Sequence, residues 1–182
     1  RHALLVDFDT GQELLEKDSE ALMPPASMSK LMTTYMAFYA LENQDLDLDS
    51  TFTVSEKAWK MGGSKMFVEV GKEIRVRDLL LGVIVQSGND ACIVLAEGLA
   101  GSEAAFAEEM NEMARKLGLR DSNFTNASGW PDPEHVMSAR DLAELARRII
   151  VEFPVYYKYF KIKEFTYNKI RQGNRNPLLY KN

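Results

Sequence analysis

The sequence predicts an α+β domain, a helical lobe with a short antiparallel sheet. Three features predict it. An apolar segment near the start is broken by Asp9-Thr10-Gly11, long apolar segments with helical spacing fill the stretch from 27 to 117, and β-rich aromatic sequence returns at Glu164 to Asn168. The 182 residues suit one domain with a substantial core. An apolar fraction of 46% and a charged fraction of 27% are those of an ordinary globular protein. The net charge of −5 and the lack of a basic arm argue against non-specific nucleic-acid binding. The one basic cluster, Lys158 to Arg175, is interleaved with aromatics and reads as a solvated face or a rim for an anionic substrate. No apolar run approaches the ~20 residues of a membrane span.

Each element follows from local pattern. His2 to Asp9, a turn through Gly11, and Gln12 to Glu16 make a β-hairpin. Ser27 to Leu41 carries Met, Leu, Tyr, Phe and Ala at helical spacing, a core-facing helix. Gln44 to Ser50 is an acidic loop, and Phe52 to Met61 holds a short strand and a helical turn. Gly62-Gly63 is a turn; it lacks the Gly-Lys-Ser/Thr of a phosphate loop. Val76 to Val85 and Asn89 to Leu99 are buried helices, and Glu103 to Leu117 is an amphipathic one stopped by Gly118. Asn123 to Glu134 is a loop with Gly129, Pro131 and Pro133. Ser138-Ala139-Arg140-Asp141 is a capping box opening a helix to about Val151, with Asp141 a short stand-in for Glu. After Pro154 a short aromatic helix, Val155 to Phe160, leads to a strand at Glu164 to Asn168.

The chemistry centres on Ser27-Met28-Ser29-Lys30, reached through Pro24-Pro25-Ala26. Positions i and i+3 share a helix face, so the Lys30 amine reaches the Ser27 hydroxyl. A serine hydroxyl is a weak nucleophile until a base takes its proton. A lysine is such a base when burial or another cation lowers its pKa. The helix N-terminus favours negative charge developing at Ser27. Alone the match says little: about one Ser-x-x-Lys is expected by chance at this length, and a capping serine before a solvated lysine is spelled the same way. Ser87-Gly88-Asn89 joins two apolar helices, so its polar groups either enter a hydrogen-bond network or line a cleft. An ordinary polar connection is the plainer alternative.

Cys92 is the only cysteine, which excludes an intrachain disulfide and leaves the compartment open. On its apolar helix it is either a small buried hydrophobe or a thiol just behind the site. The two histidines, His2 and His135, belong to no ligand cluster, so metal chemistry, a His-based triad and a cofactor find no support. His135, in a Pro-rich acidic loop, is expected on the surface.

Several blocks in order carry a family likeness. They are Leu4-Leu5-Val6-Asp7 with Thr10-Gly11, Pro25 to Thr33, Gln86-Ser87-Gly88-Asn89-Asp90-Ala91-Cys92 and Leu117-Gly118-Leu119. Ser138-Ala139-Arg140-Asp141-Leu142, Glu164 to Asn168 and Asn174-Arg175-Asn176 with Leu178-Leu179 complete them. In these blocks the chain resembles the N-terminal part of low-molecular-mass penicillin-binding proteins, the serine D-alanyl-D-alanine carboxypeptidases of peptidoglycan maturation. The resemblance implies a β-lactamase/transpeptidase-like fold whose sheet is incomplete in this chain. It implies Ser27 as nucleophile, Lys30 as its base and Ser87 as proton carrier to the leaving amine. Asn89 would hold Lys30 and a substrate amide oxygen. The implied partners are peptidoglycan pentapeptides ending in D-Ala-D-Ala and β-lactam antibiotics, with no nucleic acid. The implied place is extracytoplasmic, in the periplasm or at the outer face of a bacterial cytoplasmic membrane, with any membrane contact made through segments absent from this chain.

One departure matters. The family's third motif, Lys-Thr-Gly on an inner strand, does not occur, and the chain stops at Asn182 short of where it belongs. Arg1 leads straight into the first strand. Residues 1–182 therefore read as a truncated catalytic domain, a poor catalyst alone. The substrate carboxylate needs cations; the Lys-Thr-Gly lysine is the first candidate and Arg175 the one available here. A structural arginine pairing an acidic side chain is the other reading of Arg175. Two rivals to the carboxypeptidase stay open. A serine β-lactamase needs a base for the deacylating water, and the loop Asn123 to Met137 offers Glu134 but no Glu-x-x-Leu-Asn pattern. A non-catalytic β-lactam sensor would fit the missing motif.

Overall fold

The computed structural model describes residues 2–181. Seven helices build a lobe, and six short strands pair as three separate antiparallel ribbons among the described residues. The first is the expected hairpin, β1 (Ala3–Val6) with β2 (Glu13–Lys17). Its turn is closed by Asp7, whose carboxylate accepts from the Thr10 N–H and hydroxyl. The hairpin lies on α6 (Ala139–Glu152), where Leu4, Val6, Ala143, Ala146 and Ile150 line one shared groove. Leu5, Phe8, Leu14 and Leu15 stay exposed.

The core helix α1 (Lys30–Glu42) is buried along Met32, Thr33, Tyr35, Ala37, Phe38 and Leu41. The Met-rich face is thus core, as its spacing predicts. The acidic loop then leads to β3 (Thr51–Thr53) and α2 (Glu56–Lys60), where the Ser55 hydroxyl caps the helix by accepting from the Ala58 N–H. The sequence reading has no strand at β4 (Glu73–Arg75), which pairs with β3. Three residues flanked by charge leave no alternation to read.

The buried pair α3 (Val76–Gln86) and α4 (Asn89–Ala100) packs against α1 and against α5 (Glu103–Leu117). Ser138 caps α6 by accepting from the Asp141 N–H. The reciprocal half of the expected capping box is replaced: Asp141 accepts from the Asp121 N–H and the Ser122 hydroxyl, tying the loop before α6 to its first turn. The aromatic segment forms α7 (Pro154–Tyr157) and a 3₁₀ turn, Lys158–Lys161. Phe153, Tyr156, Tyr159 and Phe160 cluster around Phe38. The chain then turns through β5 (Glu164–Tyr167) and β6 (Ile170–Gly173), a ribbon seated on α3.

His135 corrects the surface assignment. It is 2% exposed, its Nδ1 accepts from the Thr125 N–H, and its ring stands edge-on to Phe124. The loop doubles back through an Asn123–Val136 bridge that turns alternate residues inward, leaving Glu134 exposed and His135 buried.

Candidate active site

Ser27 lies on a 3₁₀ turn, Ala26–Ser29, that runs directly into α1. In that geometry residues three apart eclipse each other, so Lys30 stands over Ser27 more squarely than α spacing would place it. The turn is tightened by Ala26, which adopts a left-handed φ of 49°, and by the Ser29 hydroxyl, which donates to the Ala26 carbonyl at 3.0 Å. Left-handed backbone at a non-glycine residue is stored strain of the kind that collects at functional sites.

Lys30 is 5% exposed. Its Nζ lies 3.0 Å from Ser27 Oγ and donates to the Ser128 carbonyl at 2.6 Å. Burial pushes the amine below its ordinary pKa; a charged Cys92 would oppose that, and the Arg175 guanidinium reinforces it. A neutral amine keeps two N–H donors and a lone pair. With one N–H held by Ser128, the lone pair is free to accept the Ser27 proton.

Ser87 ends α3 in the left-handed conformation, φ 55° and ψ 37°. Glycine or asparagine usually takes this position. Ser27, Lys30, Ser87 and Arg175 line one cleft of about 510 Å³, with Leu31, Val83, Ile84 and Phe160 as its apolar wall. Arg175 is exposed, and no ion pair holds it among the described residues. Asn89 is placed differently. It is 7% exposed, opens α4, and donates its side-chain N–H to the Gly62 carbonyl at 2.9 Å. It makes no hydrogen bond to Lys30 among the described residues. The backbone carbonyl of Ser128 makes the lysine contact that the sequence reading assigns to Asn89. Its Oδ1 accepts no hydrogen bond among the described residues, which leaves an acceptor for an incoming N–H.

Other positioning residues escape motif reading. The buried Asp90 carboxylate accepts from the N–H groups of Met66 and Phe67, both at 2.8 Å, and so holds the segment after Gly63 against α4. Gly129 packs on the Ser27 turn: a Cβ there would stand 1.9 Å from the Ala26 carbonyl oxygen. Cys92 is fully buried within the lobe, its thiol pushed by burial up to about 12. It is a small hydrophobe lying near enough to Lys30 for their charges to couple. Glu134 is exposed and outside the cleft.

Known proteins resemble this chain over nearly its whole length. The family described as D-alanyl-D-alanine carboxypeptidase matches residues 1–182. D-alanyl-D-alanine carboxypeptidase DacC of Escherichia coli (strain K12) is 42% identical over 183 residues, covering 97% of this chain and 46% of that protein. The chain thus spans about half the length of such relatives. Penicillin binding protein 5 from Haemophilus influenzae superposes with a TM-score of 0.95 at 39% identity, over 98% of this chain and 53% of that one. Penicillin-Binding Protein D2 from Listeria monocytogenes, in its ampicillin-bound form, gives 0.86 at 28% identity over 98% and 73%. The fold is that of the penicillin-binding proteins.

Proposed function

This chain belongs to the D-alanyl-D-alanine carboxypeptidase family, and from that premise we propose that the whole protein removes the terminal D-alanine of peptidoglycan stem peptides through an acyl-serine intermediate. The observation that carries the reading is the buried Lys30 amine 3.0 Å from Ser27 Oγ, in a cleft shared with Ser87. Ser27 Oγ attacks the carbonyl of the penultimate D-alanine as its proton passes to Lys30. Ser87 relays that proton to the departing amine, and water later cleaves the ester. The Ser27 N–H serves as one oxyanion donor, and a donor outside these 182 residues completes the pair. Arg175, free of carboxylate partners among the described residues, faces the terminal carboxylate of the substrate. Asn89 offers its Oδ1 to a backbone N–H of the peptide.

A β-lactam presents the same reactive amide, so the protein is acylated and inhibited by penicillins. The ampicillin-bound relative supports this. Glu134, exposed and away from the cleft, is not placed to activate a deacylating water, which favours slow turnover over β-lactamase activity. Peptidoglycan is an extracytoplasmic substrate, and the protein acts there; no helix among the described residues is long and apolar enough to cross a membrane. The test is D-alanine release from diacetyl-Lys-D-Ala-D-Ala. We expect release by the whole protein and none by the 182 residues alone, which carry no Lys-Thr-Gly. Release by a Ser27→Ala form would overturn the assignment.

A further inference from the structure

The Lys30 amine has two partners among the described residues, Ser27 Oγ and the Ser128 carbonyl. Where the amine points therefore depends on where Ser128 is held. The segment 126–130 is fixed by groups outside the cleft. Asn126 Oδ1 accepts from three consecutive N–H groups, Ser128 at 3.2 Å, Gly129 at 2.8 Å and Trp130 at 2.9 Å. Its Nδ2 donates to the Trp130 carbonyl at 3.0 Å. One side chain thus closes the whole turn from inside. Ala127 is clamped at both ends: its N–H donates to Glu103 Oε1 at 3.1 Å, and its carbonyl accepts from the Thr33 hydroxyl at 2.6 Å. Ala127 and Ser128 are 0% and 1% exposed, so water cannot replace these bonds without opening the turn.

We propose that Asn126 is a positioning residue for the acylation step, folding residues 126–130 so that the Ser128 carbonyl aims the Lys30 amine at Ser27. The inference rests on the reading of Ser27 and Lys30 as nucleophile and base. Without the Asn126 oxygen, the N–H groups of buried Ser128 and half-buried Gly129 lose their acceptor, while the exposed Trp130 N–H keeps only its 3.3 Å bond to Ser128 Oγ, and the turn reopens to hydrate them. The Ser128 carbonyl then leaves the amine, whose lone pair loses its direction. A plain structural staple would lower stability and leave the base untouched. The other groups that bear on the Lys30 charge are Cys92 on α4, His135 on the same loop and Arg175 beyond β6, and all keep their identity in the variants below.

The experiment measures acylation of the whole protein by a fluorescent penicillin, resolved into the dissociation constant before the covalent step and the acylation rate constant, across pH. Asn126→Ala is expected to lose about 100-fold in the rate constant, the scale of an ~1 Å misplacement, with the dissociation constant unchanged. Asn126→Asp keeps an oxygen for the three N–H groups and is expected to recover most of the rate at its optimum. Its carboxylate favours the ammonium, so its acid limb moves to higher pH. A wild-type rate constant in Asn126→Ala overturns the proposal. So does an Asn126→Asp form as impaired as Asn126→Ala, or one whose acid limb stays in place. If Asn126→Ala does not fold, the pH profile of Asn126→Asp decides alone. Lys30→Arg separates the two levels. An inert Lys30→Arg beside a normal Asn126→Ala removes only the positioning role, whereas a fully active Lys30→Arg removes the base as well.

Discussion

Gly129 and Gly118 form a matched pair that isolates the contact between the 126–130 turn and the Ser27 turn. Both have a φ of 76°. A Cβ on Gly118, which follows α5, meets nothing within 4 Å, whereas a Cβ on Gly129 meets the Ala26 carbonyl oxygen at 1.9 Å and Ser29 Oγ at 2.5 Å. Alanine at either site carries the left-handed penalty of roughly 1 kcal/mol. For Gly118→Ala that is the whole cost, about 2–4 °C in Tm. At Gly129 the obstacle is backbone, which no rotamer change relieves, so overpacking adds about 1–3 kcal/mol. The total of about 2–4 kcal/mol lowers Tm by about 5–15 °C. The clash also pushes on Ala26, the residue before Ser27 and itself strained at φ 49°. Acylation by a fluorescent penicillin should fall by about 100-fold in Gly129→Ala and stay at the wild-type rate in Gly118→Ala. Melting curves and labelling time courses on the two variants decide the matter. Equal Tm losses with unimpaired labelling in both would refute the packing argument.

Three further outcomes are expected. Asp90→Ala leaves the Met66 and Phe67 N–H groups without an acceptor, at ~1–3 kcal/mol each; chemical denaturation should show a loss of that order, and a loss under ~0.5 kcal/mol, the scale of a neutral surface change, would contradict it. Cys92, fully buried with its thiol pushed up to about 12, should resist alkylation in the native protein at neutral pH and react on unfolding; stoichiometric native labelling by mass spectrometry would count against this. Burial holds the folded Lys30 pKa below the unfolded value, so between the two the unfolded chain binds more protons and stability rises with pH. Relative to Lys30→Met, the wild type should therefore gain in Tm as pH climbs from the folded value toward 10.5; a flat or falling difference over that window would contradict the burial argument.

What could be read from sequence was local. Glu103–Leu117 was legible to the residue because its amphipathic stripe and the Gly118 stop agree; the Ser102 hydroxyl, accepting from the Ala105 N–H, caps it as well. The Ser27–Lys30 spacing foretold their contact, although the turn is 3₁₀ and not α. Contacts made by backbone groups had no such signal. The Ser128 carbonyl reaches Lys30 across 98 positions, and any residue type supplies a carbonyl. The one available cue was Asn126, three residues before a glycine in a turn-rich loop, which is Asx-turn chemistry. His135 was misjudged because composition describes a loop as a whole, while its Asn123–Val136 bridge decides residue by residue which side faces in. The ribbon of β3 and β4 joins two three-residue segments, too short for periodicity. Leu5 and Leu15 pair across the hairpin and both stay exposed, an apolar pair that the described residues leave uncovered.

The proposed mechanism makes Ser27 the nucleophile and Lys30 its base. The most direct measurement treats the whole protein with penicillin, digests it and locates the added mass by peptide mapping, alongside Ser27→Ala and Lys30→Arg. The expected result is one penicilloyl group on Ser27 in the wild type, none in Ser27→Ala, and none on the same timescale in Lys30→Arg, whose guanidinium cannot take the proton. An adduct on another residue, or one that survives Ser27→Ala, would contradict it.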